Sequence, residues 1–392
     1  MAVNWTVLPR WLKRKWEDWL DRRIAAYALD PASEARFAAL LDRVLAESPK
    51  DWLGDRLAAY ALNAAHEDRF AALLERVLSR YIYWTWGQDG PYRRHFSRWQ
   101  AAGFNLAPNH YYSPIPDAGR LPPDFFRRES RLAGLDLREA RQLELLAEFE
   151  KYQPEYLPFS RPPAAPHEFS LGNGCLESCD AEVLHCMIRR LQPRRIIEAG
   201  AGYSTLLTAA ACEANRLAGG PACEFTAIEP FPNHLFAQPI PGLTRLLTLP
   251  LEEADPALFA SLGENDILFI DSSHVLKAGS DVERLYLEII PALRPGVVVH
   301  VHDIFLPRPY PEHWMREEHI FWNEQQLLQA FLSFNREFEV EWASAYMHLR
   351  HRARLRLPGR RPDDANGHPG GAHRHRLRPA RLQPSPAPGR PR

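Results

Sequence analysis

The chain has 392 residues, 45% of them hydrophobic and 11% aromatic, and a formal net charge of -1. The near-neutral total hides a division: His351 to Arg392 carries +9, leaving -10 for residues 1–350. The length suggests two or three units, no run approaches the ~18 apolar residues of a membrane span, and the N-terminus lacks a signal-peptide apolar core.

The five cysteines (Cys175, Cys179, Cys186, Cys212, Cys223) form no CxxC pair. A disulfide framework is not expected, and a reducing, cytoplasmic setting fits.

Residues 1–80 contain a two-copy repeat. Segments 22–45 and 55–78 align without gaps at a spacing of 33, with 17 of 24 positions identical. Phe37, Leu40, Leu41, Val44 and their counterparts Phe70, Leu73, Leu74, Val77 recur at helical spacing, which predicts two short helical hairpins. Residues 81–166 are rich in aromatics and prolines and read as a wrapping segment with one helical stretch, REARQLELLAEFEKY.

Residues 167–350 alternate strand-like and helix-like runs. Strands are expected at 194–200, 224–230, 244–250, 266–272 and 296–303, then at 338–344 and 346–350. Helical patterns separate most of them, including YSTLLTAAACEANRL, DPALFASL, SDVERLYLEIIPAL and NEQQLLQAFLSF. This alternation predicts an α/β, Rossmann-like doubly wound sheet. The last two runs lie so close that only a hairpin can join them, which makes the final strand antiparallel. Residues 351–392 have eight prolines and no Trp, Tyr or Phe, and are expected to be disordered.

The chemistry concentrates at the strand ends. In Glu198-Ala199-Gly200-Ala201-Gly202-Tyr203-Ser204-Thr205, a strand ends in an acid, passes a Gly-x-Gly turn and enters a helix. Gly200 and Gly202 allow a sharp turn and a close ligand, and Ser204 can cap the helix or donate to the ligand. Thr205 occupies the place of the third Gly of the dinucleotide fingerprint, which disfavours an NAD-linked dehydrogenase. The carboxylate of Glu198 would repel a pyrophosphate but suits the ammonium group of S-adenosylmethionine. Glu229 closes the second strand, where a carboxylate can accept from both ribose hydroxyls of an adenosyl group.

Asp271-Ser272-Ser273-His274 follows the fourth strand, and His300-Val301-His302-Asp303 follows the fifth. Period two sends His300 and His302 to one face, and a bend at the strand end would bring His302 and Asp303 both to the cleft. Asp271, His302 and Asp303 could then hold Mg2+ or another divalent cation, with Asp271 and His274 catalytic and His274 the proton acceptor. The alternative is that His300 and His302 are buried, hydrogen-bonded strand residues.

From roughly Tyr92 to Arg350 the chain resembles class I S-adenosylmethionine-dependent methyltransferases. The nearest likeness is to a bacterial branch of mostly unassigned substrate, related to metal-dependent small-molecule O-methyltransferases. The resemblance rests on DAEVLHCMIRRLQPRRIIEAGAGYSTLL, IEPFP, ENDILFIDSSHVLKAGSDVERLYLEIIPALRPGVVVHVHDIFLPRPYP and FWNEQQLLQAFLSFN. It implies a seven-stranded sheet with the last strand antiparallel. It also implies S-adenosylmethionine contacts at Glu198, Gly200, Gly202, Ser204 and Glu229. Asp271 and Asp303 match two metal positions of catechol and sugar O-methyltransferases, and His302 stands where those carry an acid or amide.

The function expected is methylation of a small-molecule or sugar hydroxyl, with no nucleic-acid or membrane partner and the oligomeric state open. Two other readings are a non-catalytic cofactor-binding protein that docks through the helical repeat, and an oxidative enzyme on the same scaffold.

Overall fold

A computed structural model of the chain describes Glu75 and residues 91–355. Apart from Glu75, the helical repeat lies outside those residues, and so does the Arg- and Pro-rich tail beyond residue 355. The chain divides into two compact units, Met1–Asp117 and Ala118–Arg392, so the expected wrapping segment straddles the division. In the first unit, helix Pro91–Ala101 leads into irregular chain where Asn109 donates to Asp117 and Tyr111 meets Tyr112 edge to face.

The second unit is built on a five-stranded sheet. Its strands are β1 (Arg195–Ala199), β2 (Glu224–Ile228), β3 (Arg245–Leu247), β4 (Ile267–Ile270) and β5 (Val298–Val301), in the order β3-β2-β1-β4-β5. Every pairing is parallel. The short apolar runs become strands because both faces of the sheet are covered, which removes the polar alternation of a half-exposed strand.

Side chains divide between the two faces with period two. Ile196, Ile267 and Phe269 join one core cluster with Leu184 and Ile188 of helix Asp180–Leu191 and Leu206 and Leu207 of helix Tyr203–Leu217. Ile197, Ala199, Leu268 and Ile270 join the other, with Val282, Leu285, Tyr286, Ile289 and Ile290. Those five belong to a helical run of Asp281–Arg284, a π-helical turn Leu285–Ile289 and Ile290–Ala292. Each fully buried large side chain stabilises by roughly 1.5–3 kcal/mol against exposure. The result is three layers, helix on sheet on helix.

The stretch from 118 to 166 is anchored, not loosely draped. Helix Glu139–Phe149 and the turns after it place Leu145, Phe149, Tyr156 and Phe159 in the first cluster. Glu155 accepts from Arg189 at 2.6 and 3.0 Å and meets His185 Nε2 at 2.9 Å. Burial lowers the His185 pKa despite that carboxylate.

The C-terminal hairpin is a correction. Residues 338–343 pair with no strand, and Ser344–His351 is a helix, so the described residues hold five parallel strands and no antiparallel one. Tertiary partners explain the change. Trp342 packs on Phe149, and Phe338 on Phe331. Glu339 and Glu341 pair with Arg138, and Ala343 N–H donates to Gln142 Oε1 at 2.8 Å. These contacts occupy the segment that would otherwise seek a sheet edge. In YMHLR only Met347 is buried, and Tyr346 and His351 both bond Glu139, within reach of one carboxylate because five residues rise only about 7.5 Å along a helix against about 17 Å along a strand.

Candidate functional site

The strand order reverses between β1 and β4, and the carboxyl ends of these neighbours open a crevice. Loops there continue the ladder. Gly200 N–H donates to Ile228 O at 2.9 Å, Asp271 N–H to Ala199 O at 2.8 Å, and His302 N–H to Ile270 O at 2.9 Å. The chain after β1, β4 and β5 is therefore fixed to the neighbouring strand by backbone bonds, and Glu229 N–H, after β2, donates to Leu247 O at 3.0 Å in the same way.

Gly200 has φ +84°, and an added Cβ would lie 1.8 Å from the carbonyl oxygen of Asp271. Only glycine fits there. At Gly202 the backbone is extended, and nothing lies within 4 Å of where a Cβ would sit, so that side faces open space. Thr205 accounts for the missing third glycine. Its hydroxyl accepts from Gly202 N–H at 3.1 Å and donates to Glu198 Oε2 at 2.7 Å, locking the turn onto the strand.

Glu198 is 1% exposed, and its second oxygen accepts from Ser204 at 2.5 Å. Burial pushes its carboxyl up to about 8, against the pull of the two hydroxyls. Ser204 thus serves the carboxylate and does not cap the helix. Glu229 is anchored to the glycine turn itself, accepting from Ala201 N–H at 3.2 Å and Phe231 N–H at 2.7 Å.

Across the crevice, Asp271, His274, His302 and Asp303 converge. His274 Nε2 is 3.2 Å from Asp271 Oδ1 and 3.7 Å from Asp303 Oδ2. His302 Nδ1 is 3.4 Å from Asp271 Oδ1 and 3.6 Å from Asp303 Oδ2. The expected bend is present: Asp303 has φ +54° and His274 φ +58°, left-handed conformations that persist where surrounding structure imposes them. His300 and His302 share a face, both against Phe269, with ring centroids at 4.5 and 6.2 Å. Desolvation pulls His300 down to about 3, so this half-buried residue is neutral.

The electrostatics are those of a compensated cluster. Burial disfavours the charged forms of Asp271, His274 and His302, yet Asp271 is held well below the usual carboxylate range by His274 and His302. Burial likewise opposes charge on His274, but hydrogen bonds to Asp271 and Glu324 push it up to about 9. His302 is raised by Asp271 and Asp303 in the same way.

Sequence reasoning missed Glu324. It is fully buried, and its Oε2 meets His274 Nδ1 at 2.8 Å. His274 O also accepts from the N–H groups of Asn323 and Glu324 at 3.1 and 3.2 Å, so helix Glu324–Leu332 starts on this loop. Fifty residues separate the pair, and no local motif marks the glutamate. The Trp322 ring lies 4.2 Å from the His274 ring and leads a wall with Trp314, Tyr310 and Phe305. Tyr111 and Tyr112 belong to the first unit and are exposed.

No helix among the described residues is long and apolar enough to cross a membrane. A family model described as "Methyltransferase domain" matches residues 197–304, a span that begins within β1 and ends just past Asp303. An uncharacterized protein of Archaeoglobus fulgidus is 29% identical over 171 residues, covering 41% of this chain and 75% of its own length. The matched span, together with the parallel α/β sheet around it, supports a class I methyltransferase domain in this chain, for which S-adenosylmethionine is the usual cofactor.

Proposed function

We propose that the chain methylates a hydroxyl of a small molecule or sugar, using S-adenosylmethionine. The observation that carries this reading is the juxtaposition, at the carboxyl ends of β1, β4 and β5, of a glycine turn flanked by Glu198 and Glu229 and a polar cluster suited to an acceptor hydroxyl, with Gly200 packed against Asp271. The donor set fits the cofactor. Gly202 leaves space beside the turn, and Glu229 holds two backbone N–H groups while keeping lone pairs for ribose hydroxyls. Glu229 offers a carboxylate to a cationic ligand, and Glu198, whose carboxyl titrates near 8 without one, would ionise beside such a charge. When bound, the cofactor supplies an electrophilic methyl group, which leaves with the sulfur retaining the bonding pair.

The chain's own residues orient the acceptor and receive its proton. Trp322 offers a flat face for a sugar or aromatic ring. His274 and Asp271 stand where the hydroxyl proton would go. In the site as it stands, Asp271 and Glu324 hold the His274 imidazole charged at neutral pH, so it accepts a second group's proton only once its own has left. Proximity and alignment of the hydroxyl supply the rest of the rate.

Calorimetric titration with S-adenosylmethionine tests the first half of the proposal, and binding tighter than ~1 mM is the expected result. The second half is tested by release of S-adenosylhomocysteine with hydroxylic acceptors, with Asp271→Ala abolishing turnover while cofactor binding persists. Absence of cofactor binding refutes the proposal, and so does full turnover in Asp271→Ala.

A further inference from the structure

We propose that Asp271, His274, His302 and Asp303 make one two-nitrogen, two-oxygen site that selects a first-row transition ion of the Zn2+ type over Mg2+. The inference rests on the reading above and revises it at one point: with an ion bound, His274 Nε2 would be a ligand and not the proton acceptor, and the ion would lower the pKa of the acceptor hydroxyl instead.

Three observations carry it. The first is spacing. Asp271, His274 and Asp303 each offer a ligand atom, all within 4.8 Å of one another. The nitrogen–oxygen separations from His274 Nε2 and His302 Nδ1 to the two carboxylates are 3.2, 3.4, 3.6 and 3.7 Å. Ligand atoms about 2.1 Å from a tetrahedral ion lie about 3.4 Å apart, so Asp271, His274 and Asp303 need only small adjustments, and His302, which lies outside that close set, would move in as the fourth ligand.

The second observation is a loose contact. His302 is 6% exposed, and its Nδ1 makes only long contacts, 3.4 Å to Asp271 Oδ1 and 3.6 Å to Asp303 Oδ2. A cation between the imidazole and the carboxylates would take all three as ligands at normal length.

The third is the surroundings of His274. Its Nδ1 is bonded to the fully buried Glu324, which fixes the ring and leaves Nε2 directed at Asp271 and Asp303. A carboxylate behind the ring is the usual support of a metal-bound histidine, setting its tautomer and basicity.

Donor chemistry decides the ion. Mg2+ requires octahedral oxygen ligands and retains its waters, whereas imidazole suits Zn2+, Fe2+, Ni2+ and Cu2+. An acid at position 302 would complete a hard, all-oxygen set with Asp271 and Asp303, whereas the imidazole present there shifts the balance toward nitrogen. Two carboxylates match the double charge of the ion.

The test reads bound metal directly. The untagged full-length chain is stripped with a chelator and dialysed against Zn2+ in the presence of a large molar excess of Mg2+, and its metal content is measured by mass spectrometry. The chain has 16 histidines, so the readout is the difference from His302→Ala. The wild type should retain about one more Zn2+ per chain than the variant. His302→Asp should let Mg2+ compete, and Glu324→Gln should weaken Zn2+ binding by roughly tenfold to a hundredfold. Circular dichroism establishes that each variant is folded, and Glu324→Gln decides the matter should His302→Ala not fold. Equal zinc content in wild type and variants overturns the proposal, as does displacement of wild-type zinc by Mg2+. Cofactor titration is scored separately. Loss of the zinc difference with cofactor binding intact removes only the metal site, and the converse removes only the methyl-transfer reading.

Discussion

Replacing Gly200 with alanine should damage the fold, whereas the same change at Gly202 should damage only ligand binding. At Gly200 the new Cβ would stand 1.8 Å from Asp271 O and 2.7 Å from Asp271 C, backbone atoms that no side-chain rotation can remove. Both segments are pinned, Gly200 N–H to Ile228 O and Asp271 N–H to Ala199 O, so relief requires breaking one of these bonds. A left-handed φ in a residue with a Cβ costs about 1–2 kcal/mol, and a lost backbone hydrogen bond about 1 kcal/mol. Forcing the strand ends apart adds about 1–3 kcal/mol. The sum is about 3–6 kcal/mol, which lowers Tm by roughly 10–20 °C in a domain of this size. Gly202 has φ -169°, which any residue adopts, and open space beside it, so Gly202→Ala should cost at most about 1 kcal/mol, for the poorer helix cap. Its methyl group would occupy the place where a cofactor approaches the turn. Urea and thermal melts of both variants, with calorimetric titration of S-adenosylmethionine, separate the two effects. A Gly200→Ala protein within ~1 kcal/mol of wild type would refute the close approach of the two loops. Unchanged cofactor affinity in Gly202→Ala would refute the placement of the cofactor.

Two further outcomes follow from buried polar groups. The Glu198 carboxyl titrates near 8 in the folded chain, above its ordinary value of 4.5, so its contribution to stability is full below about pH 4.5 and is lost as pH rises through 8. Glu198→Gln removes that dependence, and the stability difference between variant and wild type should move by about 4 kcal/mol in the variant's favour between pH 5 and 9 in urea melts; parallel curves would show the carboxyl is not desolvated. Arg284 donates to the carbonyls of Leu251, Glu252 and Ala254, tying the turn after β3 to the helix that starts at Asp281. Arg284→Lys offers a point charge where a planar fork is needed and should cost about 1–3 kcal/mol in the same assay.

The strands were legible wherever both faces are covered. Ile267–Ile270 and Arg195–Ala199 read as strands because burial on two sides leaves a continuous apolar run, and the glycine turn after β1 marks where the chain must reverse. Helix Tyr203–Leu217 was legible to the residue, since its turn and its apolar spacing agree. Residues 344–350 were not. The alternation of Ala345, Met347 and Leu349 with polar neighbours has strand character, and a helix forms because Met347 is taken into the core while Tyr346 and His351 reach Glu139. That choice depends on a helix some 200 residues earlier, which no local pattern reports.

The candidate site divides along the same line. The sequence by itself determined the types of group and the strand ends that carry them: Glu198, Gly200, Gly202, Glu229, Asp271, His274, His302 and Asp303. It did so because period-two strands and a glycine turn are local consequences of steric and hydrophobic pattern. Only the tertiary structure decided what those groups do to one another. Parallel pairing of β1, β4 and β5 brings the three loops together, and positive φ at His274 and Asp303 turns them inward. Helix Glu324–Leu332 then delivers a buried carboxylate behind His274. Convergence of this kind is a property of packing, in which residues far apart in the chain share one desolvated volume, and there the strength of every charge depends on its neighbours.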